Sequence, residues 1–151
     1  MHVLAAVLAL LSPAFHGGAR IPARYTCTGK NVSPPLRWTA PPRGTHALAL
    51  LLVDPDAPSG AFTHWTLWNL PPTRRSLPGH FKWKWQGRND AGTIGYTGPC
   101  PPAGPKHHYT FTLYALNRVL TVPRGASPGA VVSAVVHHAQ TTATLVGTYS
   151  R

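Results

Sequence analysis

Fourteen Lys and Arg residues stand against three acids in this 151-residue chain, none of them Glu, for a formal charge of +11. An apolar fraction of 43% belongs to a globular chain and excludes a disordered one. Seventeen prolines and fourteen glycines interrupt the chain every few residues, which excludes a helical bundle and favours short strands joined by turns.

The apolar start, Met1 to Leu11, is too short to cross a bilayer. Ser12-Pro13-Ala14 has the small residues of a cleavage site, yet no Lys or Arg precedes it, so a signal-like segment and an opening strand both fit. Because the apolar stretch runs straight into what reads as the first strand, a cytoplasmic location is expected, with a secreted or periplasmic one as the alternative. Arg20 to Pro42 is rich in turn formers. Ala47 to Val53 is uniformly apolar, predicts a strand buried on both faces, and delivers the chain into Asp54 and Asp56. Phe62 to Leu70 predicts the next strand, with His64, Thr66 and Trp68 on one face and Thr63, Trp65 and Leu67 on the other.

His80 to Trp85 alternates Lys82 and Lys84 with Phe81, Trp83 and Trp85, and predicts a half-buried strand. Its rings would then face away from its cations, a poor platform for nucleic acid. The basic residues elsewhere are scattered from Arg20 to Arg151, so the charge draws anions in general and no specific nucleic-acid partner is expected. Gly92 to Gly104 is dense in Pro and Gly and predicts a rigid loop. His107 to Leu116 predicts a strand, with His107, Tyr109 and Phe111 on one side. Ser127 as N-cap and Pro128 at the first position predict a helix over 127–144, followed by a short closing strand from Leu145 to Tyr149. No repeat or linker divides the chain, so a single domain over 1–151 is expected.

Two of the three acids, Asp54 and Asp56, lie two residues apart at the end of a buried strand. Like charges that close need a local reason, either an Asx-Pro turn or a site. His64 on one predicted strand, and His107 with Tyr109 on one face of another, could converge with the acids. The Gly98-Pro99-Cys100-Pro101 loop adds a rigid wall and free N–H groups at Gly98 and Cys100. Imidazoles, a phenol and backbone amides suit a small anion such as phosphate or acetate. An ionised carboxylate about 4 Å from a phosphate would repel it by roughly 4 kcal/mol at an effective dielectric near 20. An aspartate is therefore better placed holding a histidine, or meeting an ammonium group on the ligand. The sequence has no nucleophile elbow and no recognisable metal-ligand spacing, so no catalytic residue, metal or cofactor is expected. Cys27 and Cys100 either pair or stay as thiols; their positions do not decide.

The ordered motifs Ser12-Pro13-Ala14-Phe15, Tyr25-Thr26-Cys27, Ser33-Pro34-Pro35-Leu36-x-Trp38 and Asp54-Pro55-Asp56-Ala57-Pro58 carry a resemblance. So do His64-Trp65, Asn69-x-Pro71, Gly95-Tyr96-x-Gly98-Pro99-Cys100-Pro101-Pro102, His107-x-Tyr109-x-Phe111 and Gly147-x-Tyr149-x-Arg151. Together they resemble the phosphatidylethanolamine-binding protein family, in its bacterial and archaeal Raf-kinase-inhibitor-like branch. The resemblance covers residues 12 to 151 and implies a mainly β fold, a large antiparallel sheet packed on a smaller one with few short helices. It also implies a non-enzymatic pocket for a small anion or phosphorylated head group of the phosphoethanolamine kind. Carried over by motif, the ligand-binding residues are Asp54, Asp56, His64, Gly98, Cys100, Pro101, His107 and Tyr109. A kinase or protease partner would extend that role, a small-molecule hydrolase or isomerase using the same Asp/His set is the competing reading, and a homodimer stays open. Thr28 stands where bacterial members often carry an aspartate after the cysteine, and His108 where a basic residue is usual.

Overall fold

The computed structural model describes residues 7–151. The signal-like segment therefore lies partly outside the described residues, and the opening strand is the two-residue β1, Leu10–Leu11. A 3-10 turn, Ala23–Tyr25, and β2, Leu36–Trp38, follow. Then come β3, Ala47–Asp54, β4, Phe62–Leu70, and β5, Ser76–Leu77. The chain ends with β6, His107–Leu116, helix α1, Pro128–His138, and β7, Ala139–Tyr149.

Two antiparallel sheets result. The larger has four strands in the order β4-β3-β6-β7, and the smaller has three in the order β1-β2-β5. The apolar run of β3 is explained by what covers each face. Leu48, Leu50 and Leu52 enter the core between the sheets, with Leu36, Trp38 and Leu77 opposite. Ala47, Ala49 and Leu51 lie under α1 with Val131 and Val135. Each fully buried leucine contributes about 2 kcal/mol, and β3 supplies several.

Three expectations need correction. The helix stops at His138 instead of reaching 144, and Ala139 to Thr144 belong to β7, where Thr142 pairs with Tyr114. Val131 and Val135 are true helical neighbours, but Thr141, Thr142 and Thr144 are β-branched and take the free edge that β6 offers. The start is as expected: Ser127 Oγ accepts from the Ala130 N–H and Pro128 opens the first turn. His80 to Trp85 forms no strand. It crosses the rim of β4, where the Trp68 N–H donates to the Trp85 carbonyl and the Gly87 N–H to the Thr66 carbonyl. That cover shields the edge strand of the larger sheet. Its rings do not turn from every cation, since Lys84 lies over the Trp85 ring and Arg74 over Phe81.

The third correction is on β4. Leu52 pairs with Trp65 and Val53 with Thr63, which leaves His64 as the extra residue of a bulge. Bulges bend the strand and re-aim a side chain. The His64 ring packs edge-on against Tyr109, 5.4 Å between centroids, and Tyr109 belongs to the core between the sheets. Trp68 lies under the helix. His64 and Trp68 do not share a face.

Candidate functional site

At the end of the core between the sheets, β3, β4 and β6 open onto a cavity of about 330 Å³. Alternation along β6 sends His107 and Tyr109 the same way as Phe111, and the β4 bulge brings His64 to them. Asp54, the last residue of β3, closes this floor. Thr97, Gly98, Cys100, Pro101 and Pro102 form a wall, and Ala57, Pro58 and Phe62 a rim.

Asp54 is 3% exposed and both its oxygens are engaged. Oδ1 accepts the Asp56 N–H at 2.7 Å, the Asx turn that ties off the strand end. Oδ2 accepts from His107 Nδ1, also at 2.7 Å. The turn and the site are thus one device: the same carboxylate shapes the loop and orients an imidazole. His107 Nε2 has no protein partner among the described residues.

His64 is oriented differently. Its Nδ1–H donates to the Thr97 carbonyl at 2.8 Å, so Nε2 carries the lone pair. Burial holds its pKa below the ordinary imidazole value of 6.5, although the Thr97 carbonyl and Asp54 oppose that. His64 is therefore uncharged at neutral pH.

Tyr109 is fully buried, and its hydroxyl has no hydrogen-bond partner among the described residues. Burial raises its pKa, with the Asp54 and Asp56 charges adding to the effect and Arg151 opposing it. It stays a phenol. A buried hydroxyl left unpaired costs about 1–3 kcal/mol unless a ligand or water completes it.

The loop wall is braced from behind. Cys27 and Cys100 form a disulfide with Cα atoms 5.4 Å apart, and the Cys27 N–H donates to the Pro99 carbonyl. The Gly98 N–H is not free as expected: Asn31 Oδ1 accepts it at 2.7 Å. A Cβ at Gly98 would run into the Tyr25 carbonyl and Asn31 Oδ1, so only glycine permits this approach. The Cys100 N–H has no partner among the described residues.

Of the eight residues expected to bind a ligand, seven line this cavity: Asp54, His64, Gly98, Cys100, Pro101, His107 and Tyr109. Asp56 does not. It lies on the exposed rim, where Oδ2 accepts from the His108 N–H and pairs with His108 Nδ1, both at 2.8 Å. Those hydrogen bonds to His108 hold its carboxyl below the usual range. Sequence reasoning missed Phe62, Thr97 and Arg151. Phe62 sits two residues before His64, a signal that was available, and its ring lies 4.6 Å from the imidazole. Arg151 Nε donates to the Pro101 carbonyl at 2.6 Å, which clamps the wall to the chain end. Thr28 shares hydrogen bonds with the Thr26 and Tyr149 hydroxyls behind that wall. The described residues hold no group of three or more His, Cys, Asp or Glu placed to bind a metal ion.

Comparison with known proteins places the fold in a family. Residues 11–150 match the model of the phosphatidylethanolamine-binding protein family. A UPF0098 protein of Methanothermobacter thermautotrophicus is 46% identical over 149 residues, 94% of this chain and 98% of that one. LppC of Mycobacterium tuberculosis, whose name marks it as a candidate lipoprotein, is 41% identical over 94% of this chain and 70% of its own. Among solved structures, the phosphatidylethanolamine-binding protein homolog CT736 of Chlamydia trachomatis superposes with a TM-score of 0.89 at 39% identity, covering 96% of this chain and 98% of that one. Escherichia coli YbcL superposes with a TM-score of 0.91 at 31% identity, covering 97% of this chain and 99% of its own. The chain belongs to the phosphatidylethanolamine-binding protein family.

Proposed function

We propose that this protein is a non-enzymatic receptor for a small anion, a phosphate ester or carboxylate whose head group enters the cavity at the end of β6. The observation that carries the reading is the Tyr109 hydroxyl, buried without a partner in a cavity that also holds the Asp54–His107 pair. An anion oxygen would complete that hydroxyl and the Cys100 N–H. Asp54 does not repel it as a bare carboxylate would, because both its oxygens are occupied by N–H donors. The charge of +11 adds a long-range attraction that falls with salt. Phe62, Pro58 and Pro102 leave room for an apolar substituent beside the head group.

His64 sets the pH dependence. Its uncharged Nε2 faces an anion with a lone pair, so binding strengthens when that nitrogen takes a proton, below the ordinary value of 6.5. NMR titration with phosphate, acetate and phosphoethanolamine tests the reading. Shifts concentrated at His64, His107 and Tyr109 are expected, larger at pH 5.5 than at 7.5; no shift at these residues with any of the three overturns it.

The disulfide bears on location. Paired cysteines persist in oxidising compartments, and the Cys27–Cys100 bridge therefore favours the secreted or periplasmic alternative. Among the described residues no helix is long and apolar enough to cross a membrane.

A further inference from the structure

Two histidines offer an unpartnered Nε2 to the cavity, and their backing differs. His64 leans on a neutral carbonyl, Thr97 O, in a setting where burial disfavours the imidazolium. His107 leans on a carboxylate, Asp54, at 2.7 Å, with its side chain 13% exposed. A nucleophilic imidazole gains positive charge as it attacks, so a carboxylate on the far nitrogen supports the attack and a carbonyl does so weakly. Beside it the Tyr109 hydroxyl lacks an acceptor, and the rings of His107 and Tyr109 lie nearly parallel, 6.4 Å between centroids. The surroundings supplied by Pro101, Pro102 and Phe62 are apolar, which slows hydrolysis of whatever forms there.

We propose that His107 is a phosphoryl acceptor: Nε2 takes the phosphoryl group of a small acyl phosphate bound in the cavity and holds it as a phosphohistidine. The inference rests on the anion-binding reading and adds a covalent step to it. The Nε2 lone pair forms the N–P bond while the P–O bond to the acyl oxygen breaks. The carboxylate leaves with that electron pair. Nothing is oxidised or reduced, and no proton needs to depart: Nδ1 keeps its hydrogen on Asp54, whose charge balances the phosphorylated ring. The Tyr109 hydroxyl donates to a phosphoryl oxygen. One transfer per chain is stoichiometric storage, not turnover.

The molecule carries its own control. His108 has the same carboxylate backing from Asp56 at 2.8 Å, but its side chain is 50% exposed and outside the cavity. If nucleophilicity alone decided the outcome, both would react; if the cavity decides, only His107 does.

Full-length protein incubated with acetyl phosphate at neutral pH tests this by intact mass, ³¹P NMR and peptide mapping. The expected result is one phosphoryl group per chain, lost in acid, kept in alkali, and mapped to His107. Asp54→Asn should slow labelling by about tenfold or more, as loss of an orienting carboxylate does. His108→Asn should label like the parent. Inorganic phosphate is titrated in parallel, with the Tyr109 resonances as readout. Phosphate shifts without an adduct, or an adduct on His64, His108 or a lysine, overturn the acceptor role and leave the receptor reading standing. An absence of shifts with phosphate, acetate and phosphoethanolamine alike overturns both. The mapping is done on the parent protein, so the result does not hinge on any variant folding.

Discussion

Asp54–His107 and Asp56–His108 pair the same side-chain types at nearly equal distances, with the acids two residues apart and the histidines adjacent, and they have different consequences. The inner pair is 5% and 13% exposed, the outer 41% and 50%. Inside, desolvated partners depend on each other, so removing one leaves the other stranded. Outside, water replaces either partner at little cost. The comparison teaches that the Asp-Pro-Asp turn is built asymmetrically: one acid is part of the cavity floor, and the other secures the rim against the first turn of β6.

The largest effect that would test this contrast is Asp54→Ala. It leaves the Asp56 N–H and His107 Nδ1 without their acceptor and should cost about 3 kcal/mol, read as a fall in the denaturant midpoint. A loss no greater than that of Asp56→Ala would mean the inner pair is as well solvated as the outer. Reduction of the Cys27–Cys100 disulfide should cost up to about 3 kcal/mol and should broaden Tyr109 and Cys100 resonances before those of His108. Equal broadening at the rim would break the distinction between a braced interior and an independent exterior.

A smaller effect comes from His64. Its folded-state pKa lies below the unfolded value of 6.5, so the unfolded chain takes up the proton first as pH falls. Stability from this group is complete above about 6.5 and declines as pH drops through the folded value. A melting-temperature profile that falls below that point in the parent and flattens in His64→Gln is expected. Identical profiles would show that burial does not govern this imidazole. The smallest effect is that of Asp56→Asn, which should leave the melting temperature unchanged while altering the His108 titration followed by NMR. A large loss would place the outer pair among the groups that hold the fold.

Local pattern was a good guide where the ladder is regular. Seven apolar residues before Asp54 have one strand-like solution, burial on both faces, and β3 adopts it. Alternation along β6 put His107 and Tyr109 together, and they meet in the cavity. Pattern failed where a residue count changes or a distant edge competes. His64 was assigned to the Trp68 face because a period of two cannot register an inserted residue. Thr142 was read as helical because its spacing from Val135 and His138 mimics a turn, although the exposed edge of β6 claims it. The segment from His80 to Trp85 alternates like a strand and is tied to β4 instead at Trp68, whose N–H donates to the Trp85 carbonyl and whose carbonyl accepts from the Trp83 indole.

The chain alone determined the family, the two-sheet class, the strand that leads into both aspartates and most of the side chains that line the cavity, because these depend on residue type and short-range periodicity. Which carboxylate faces which imidazole, how a bulge turns His64 inward, and that the two cysteines close the wall were decided by folding. Those outcomes depend on register between segments far apart in the chain, where a shift of one position exchanges inside for outside.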